Sequence, residues 1–266
     1  MRVMRVGHWL FAAGLAGLGV LSLIYGDFAL NWQPVPAWVP WREVLSRASG
    51  TLLVAAGIGM LVKRVAALST LVMTAYMLSW VLLLQVPRVA QAPTDLGMWL
   101  GFAESSWLFC GGWIIFDSLA GTHNRLKRSM DGPRAARYLF GFACLILGAS
   151  HFIYFDATTG MIPSWIPAHG AFAYLTGTGH FAAGLAILSG VLPRLAATME
   201  AGMISCFVLL LHAPGVAAAP TNRLQWTMLA VASALAGSAW AVAGSLEFAA
   251  WGLARRRSPQ AAAVAN

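Results

Sequence analysis

Five ionisable side chains sit inside long apolar runs of this sequence: His151, His180, His212, Glu104 and Glu200. Such groups are costly away from water, so each one needs a partner or a purpose. The three imidazoles matter most, because an unperturbed imidazole gives and takes protons near neutrality. Four kinds of chemistry fit them. They can bond within a helix bundle, hold the polar end of an amphiphile such as a quinone, ligate a metal or haem, or line a solute path. His151 and His212 fall near the ends of their runs, whereas His180 lies about ten residues inside, roughly 15 Å deeper. Bond lengths of about 2.0–2.1 Å tolerate little scatter, so a single three-histidine metal centre is disfavoured and no metal is assigned. His151, His180 and His212 remain the candidate cofactor-binding set, and no catalytic residue stands out.

Spacing supports an inward aspect for two of them. Gly177 and Gly184 flank His180 at three and four residues, on one helical stripe, and small residues mark faces where membrane helices approach closely. Cys144, Gly148 and His151 share another stripe. Glu104 and Glu200 have no evident partner. Cys110, Cys144 and Cys206 each fall in an apolar run and form no CxxC, so buried, inert thiols are expected rather than a disulfide framework.

The elements that position these residues follow from composition. Of 266 residues 59% are hydrophobic and only 10% charged, too few charges to solvate a soluble globule of this size. About 20 apolar residues cross a bilayer. Eight spans are expected: Val6–Gly26, Glu43–Val62, Val65–Val86, Leu96–Ala120, Tyr138–Phe155, Gly170–Leu192, Leu195–His212 and Leu224–Leu246. The first is too long for a signal-peptide core, and Arg47 must snorkel from the second. Eight spans divide the 17 Lys and Arg into 13 on one side and 4 on the other. The positive-inside rule then makes both termini and the central linker cytoplasmic. The net charge of +8 does not indicate nucleic acid, because the cations cluster between apolar runs.

The two halves also resemble each other. Pro36–Ala37–Trp38–Val39–Pro40 is echoed by Pro163–Ser164–Trp165–Ile166–Pro167. Gly50, Gly57, Pro87, Pro93 and Trp99 are echoed by Gly177, Gly184, Pro214, Pro220 and Trp226, each 127 residues on. Tandem duplication of a four-helix unit is expected, with parallel repeats because each unit has an even number of spans. The division is 1–120 for the first unit, 121–137 for a cytoplasmic linker, 138–254 for the second unit, and 255–266 for a basic, then flexible tail. In the first half Ser22, Leu53 and Gln85 stand where the second has His151, His180 and His212, which confines a site to the second unit. Each PxWxP segment is expected as an outer-face loop seating its Trp at the interface, or as a lid. Asp27 and Asp156 are expected to close loops there.

Gly177–Thr178–Gly179–His180–Phe181–Ala182–Ala183–Gly184, the turn at Arg194, Leu211–His212–Ala213–Pro214 and Pro220–Thr221–Asn222–Arg223 together resemble the DoxX-like membrane proteins. The resemblance covers both halves, the second more closely. It implies an all-α polytopic fold of four-helix bundles in a bacterial inner membrane. Some such proteins resemble or partner quinone-linked thiol or thiosulfate oxidoreductases. The implied cofactor is a quinone, and the implied partners are the lipid bilayer and a redox partner protein. This chain departs from the usual single unit and lacks a cysteine pair for thiol exchange. The alternatives are a small-solute transporter or channel, and a non-catalytic structural or assembly protein.

Overall fold

Uninterrupted apolar runs with few polar breaks leave the backbone no partner but itself, and helices satisfy it internally. The computed structural model describes residues 2–120, 132–247 and 249, and every expected span is helical in it. The long helices are α1 Arg2–Tyr25, α2 Arg42–Leu61, α3 Ala66–Gln91, α4 Leu96–Leu119, α5 Gly132–Ile153, α6 His169–Ser189, α7 Pro193–Ala218 and α8 Arg223–Ser245. Among the described residues there is no strand.

Seven of the eight are long and apolar enough to cross a membrane. The other is α4, at 24 residues as long as α1 but diluted by Glu104, Ser105 and Ser106. It packs against α3, α5 and α8. That shelter from lipid lowers the apolarity it needs.

Within each half the helices pack in chain order, α1 to α4 and α5 to α8. The halves then join along α1–α8 and α4–α5, with α4 crossing α8 between them. Glycines set the close approaches. A Cβ on Gly50 would lie 2.8 Å from the Gly19 carbonyl oxygen, and one on Gly184 would lie 2.7 Å from that of Gly141. Where α4 meets α5, Trp107 and Phe140 cross edge to face with centroids 4.5 Å apart.

Two helices, α3 and α7, run past their expected ends at Val86 and His212 and include Pro87 and Pro214. Residues Trp80–Gln85 in α3 and Val208–His212 in α7 form π turns, directly before Pro87 and Pro214. Such a wide turn shifts the preceding carbonyls that a proline ring would otherwise strike. Other details recur between halves. Trp41 and Ala168 precede α2 and α6 with left-handed φ values of 53° and 55°. Asp95 caps α4 through the Gly97 N–H, and Asn222 caps α8 through the N–H of Leu224. The Trp99 and Trp226 indoles donate to the Pro93 and Pro220 carbonyls, both at 2.8 Å.

Helix α5 starts at Gly132, inside the expected linker. Residues 121–131 and the basic tail lie outside the described residues. Arg42 and Arg223, assigned to one side, do converge on Asp27, at 2.8 and 3.6 Å. Arg137 and Arg194, assigned to the other, donate to the carbonyls of Ser245 at α8's far end and of Ala249 beyond it. Trp38 and Trp165 are both well exposed.

Candidate functional site

The hairpin of α6 and α7 builds the site. Gly190 takes a left-handed φ of 75°, which ends α6 and turns the chain into α7. His180 and Glu200 stand ten residues before and ten after Gly190. Antiparallel helices bring such equidistant positions to one depth. His180 Nδ1 lies 2.7 Å from Glu200 Oε1, and the two side chains are only 1% and 0% exposed. The contact does not meet hydrogen-bond geometry, and among the described residues neither carboxyl oxygen of Glu200 has a hydrogen-bond partner. Glu200 is therefore the partner that sequence reasoning missed, although its equal distance from the Gly190 turn was a readable signal.

His151 joins the pair from α5. Its ring centroid is 4.9 Å from that of His180, and its Nδ1 lies 2.9 Å from the Leu147 carbonyl oxygen. The expected depth difference between these two residues is overturned. His151 is near the end of α5, yet α6 begins eleven residues before His180. The outer end of α6 thus projects roughly 13 Å beyond α5 at the usual rise. Phe155, opening the short helix Phe155–Met161, packs on the projecting turn through Tyr174, with centroids 5.0 Å apart. Gly177 admits the imidazole, since a Cβ there would meet the His151 Cβ at 2.9 Å.

These groups line a cavity of about 1350 Å³ whose wall is otherwise largely apolar. Trp107 and Phe207 flank His180 edge-on at 6.3 Å each. His212 lines the same cavity from the π turn of α7, but among the described residues no ring contact or hydrogen bond ties it to the other two histidines. Ile162 and Ile166 border the cavity, so the PxWxP segment of this half forms part of its rim. Glu104 and Trp107 of α4 also reach the cavity. The site therefore draws on the first half and is not confined to the second. Leu175, Leu185 and Met199 line the cavity while being 65%, 59% and 67% exposed. The cavity opens sideways between α6 and α7, toward the lipid-facing surface.

The remaining residues separate. Cys110 and Cys144 are buried, as expected for inert thiols, whereas Cys206 is exposed. Among the described residues no three His, Cys, Asp or Glu side chains gather as a metal-binding group. Asp27 closes its loop by accepting from the Phe28 N–H and from Arg42, both at 2.8 Å.

Residues 132–213 match the family model described as DoxX. No curated protein and no solved structure matches the chain. The matched stretch contains His151, His180, Glu200 and His212 and is similar to the DoxX family, and seven helices long and apolar enough to cross a bilayer make the chain a multi-pass membrane protein.

Proposed function

We propose that this protein binds a quinone-class amphiphile in the cavity of its second half and thereby serves a redox partner protein at a bacterial inner membrane. The observation that carries the reading is the buried His180–Glu200 contact set in the wall of an otherwise apolar, laterally open cavity. An isolated polar pair at that depth is costly, and a ligand with a polar head and an apolar body offsets the cost. The volume of about 1350 Å³ accommodates a ring with several isoprenoid units, and the opening between α6 and α7 faces the phase in which such molecules dissolve.

The matched caps, π turns and indole bonds of the two halves support an origin by tandem duplication, with units at 1–120 and 138–254. The cation asymmetry supports cytoplasmic termini. The test is a lipid extract of the protein purified in mild detergent, beside His180→Ala held to the same elution profile. Quinone that accompanies the wild type and not the variant is the expected result. Equal quinone in both, or none in either, overturns the reading.

A further inference from the structure

The ionisable groups of the cavity wall are not spread evenly through the depth of the membrane. Helices α5 and α7 end at the face that carries the PxWxP segments, and α4 and α6 start there. Trp107 flanks His180, with centroids 6.3 Å apart, so the two share a depth. Glu104, three residues earlier on α4, is one turn nearer the PxWxP face, about 5 Å. His212 stands twelve residues beyond Glu200 on α7, about 18 Å nearer the same face. In the other direction the wall changes character. From the level of His180 and Glu200 to the turn at Gly190 it is made by Leu185, Ala186, Val191, Leu192, Leu195 and Met199. No ionisable side chain lines that end among the described residues. The hydroxyls there are bound within their own helices: Ser189 donates to the Ala186 carbonyl at 3.4 Å and Thr198 to that of Arg194 at 2.8 Å. At the boundary, both carboxyl oxygens of Glu200 are buried in the cavity wall without a hydrogen-bond partner. Whichever atoms carry the protons, such a group calls for a polar contact from what fills the cavity.

We infer that the α6–α7 hairpin is a tail-binding subsite, so that an amphiphile lies with its polar end between Glu200 and Glu104 and its head toward the PxWxP face. This rests on the amphiphile reading above and adds the place of the tail and the direction of the head. The hairpin provides ten residues from His180 to Gly190, about 15 Å of helix, against which several isoprenoid units can lie. Val191 and Met199 are 50% and 67% exposed, so a longer tail continues into lipid. The reversed ligand lays hydrocarbon over Glu104 and His212 and denies them polar contact, which weakens binding. The ring is thereby presented to one membrane face and not to the other.

The test uses the full chain in mild detergent and two photoreactive probes built on a decyl-tailed 1,4-benzoquinone. One carries an azide on the ring, the other a diazirine at the end of the tail. Each is irradiated with the protein, with and without excess plain decyl-benzoquinone, and the labelled peptides are mapped by mass spectrometry. Displaceable ring labelling is expected in residues 100–107 or 154–166, and displaceable tail labelling in residues 185–199. Each probe should favour its own segment by about ten-fold or more, the size of one buried polar group left unmatched. The reverse pattern, or no preference by either probe, overturns the inference and leaves the amphiphile cavity standing. If plain decyl-benzoquinone displaces neither label, both readings fall.

Discussion

In the first half the chain between α1 and α2 folds inward, whereas in the second half the matching chain stays on the rim. Phe28, Ala29 and Gln33 are buried, around a short turn at Leu30–Trp32. The Gln33 amide donates to Ser49 at 3.1 Å and to Tyr76 at 2.8 Å, while Gln85 reaches the Trp32 carbonyl. The first interior is thereby filled by its own loop. In the second, Phe155–Met161 has no buried residue, and the space beneath it is the cavity. One frame thus holds a stopper in one half and a pocket in the other. Polar groups close a network around Gln33 in the first half, whereas the second leaves a His–Glu pair facing a space.

The largest effect should strike both halves alike, because the frame is common. Gly57→Val and Gly184→Val, which correspond at the 127-residue offset, each push a side chain toward an opposing backbone oxygen, that of Ala12 at 3.0 Å and that of Gly141 at 2.7 Å. Neither backbone can yield without parting two helices, so each should cost more than about 3 kcal/mol and deplete folded protein. Detergent-extractable yield and thermal unfolding measure this. If one variant folds normally and the other does not, the frame is not shared.

The next prediction separates the interiors. At the 127-residue offset, Leu53 and Met73 of the first half stand where His180 and Glu200 stand in the second, and both are fully buried. Glu200→Met alone strands His180 and should lower stability by about 1–3 kcal/mol. His180→Leu with Glu200→Met gives the second half the apolar interior of the first. Replacing a buried pair by apolar residues of similar volume is often neutral or stabilising by about 1–4 kcal/mol, so the double variant should unfold at or above the wild-type temperature and bind no probe. A double variant less stable than Glu200→Met would mean that the pair supports the fold rather than a ligand.

The frame was largely legible because its determinants are local. Apolar length, the charges between runs, Gly50 with Gly177 and Gly57 with Gly184 all act through spacing that a reader can count. Even Pro87 and Pro214 were visible, although the π turns that carry the helices past them were not, since nothing in residue type marks where a helix widens. The site was legible as a set of residues and not as an arrangement. His151 met His180 only because α6 overshoots α5, a stagger that no spacing within either helix marks. The Gln33 stopper was invisible, because Ser49 and Tyr76 lie far along the chain and no rule of spacing joins them to it.

A smaller effect should follow from loosening that stopper. Gln33→Leu keeps most of the volume but removes the bonds to Ser49 and Tyr76, which still bond each other at 2.6 Å. The loss should be about 1–2 kcal/mol in thermal unfolding, with probe binding in the second half unchanged. A parallel loss of binding would show that the two interiors communicate through α4, whose Glu104 and Trp107 reach the cavity.

The smallest effect concerns the clasp that ties the first loop to α8. Partial burial works against the charge on Asp27, but the Phe28 N–H, Arg42 and Arg223 together outweigh it and hold the carboxyl below its ordinary value. A depressed folded-state value contributes stability above the unfolded pKa of about 3.9, and that contribution is lost as pH falls through the folded value. Asp27 is 37% exposed, so solvent screening keeps the clasp within the roughly 0–1 kcal/mol of exposed ion pairs. Asp27→Asn should therefore lower the unfolding temperature slightly at neutral pH, and by progressively less as the pH falls below the ordinary carboxyl range. High salt should narrow the difference as well, because it screens Asp27 from both arginines. Among the described residues the second half has no matching clasp: Asp156 sits in the first turn of the rim helix, and Asp156→Asn should leave the salt dependence unaltered. Equal responses from the two aspartates would remove the clasp as a difference between the halves.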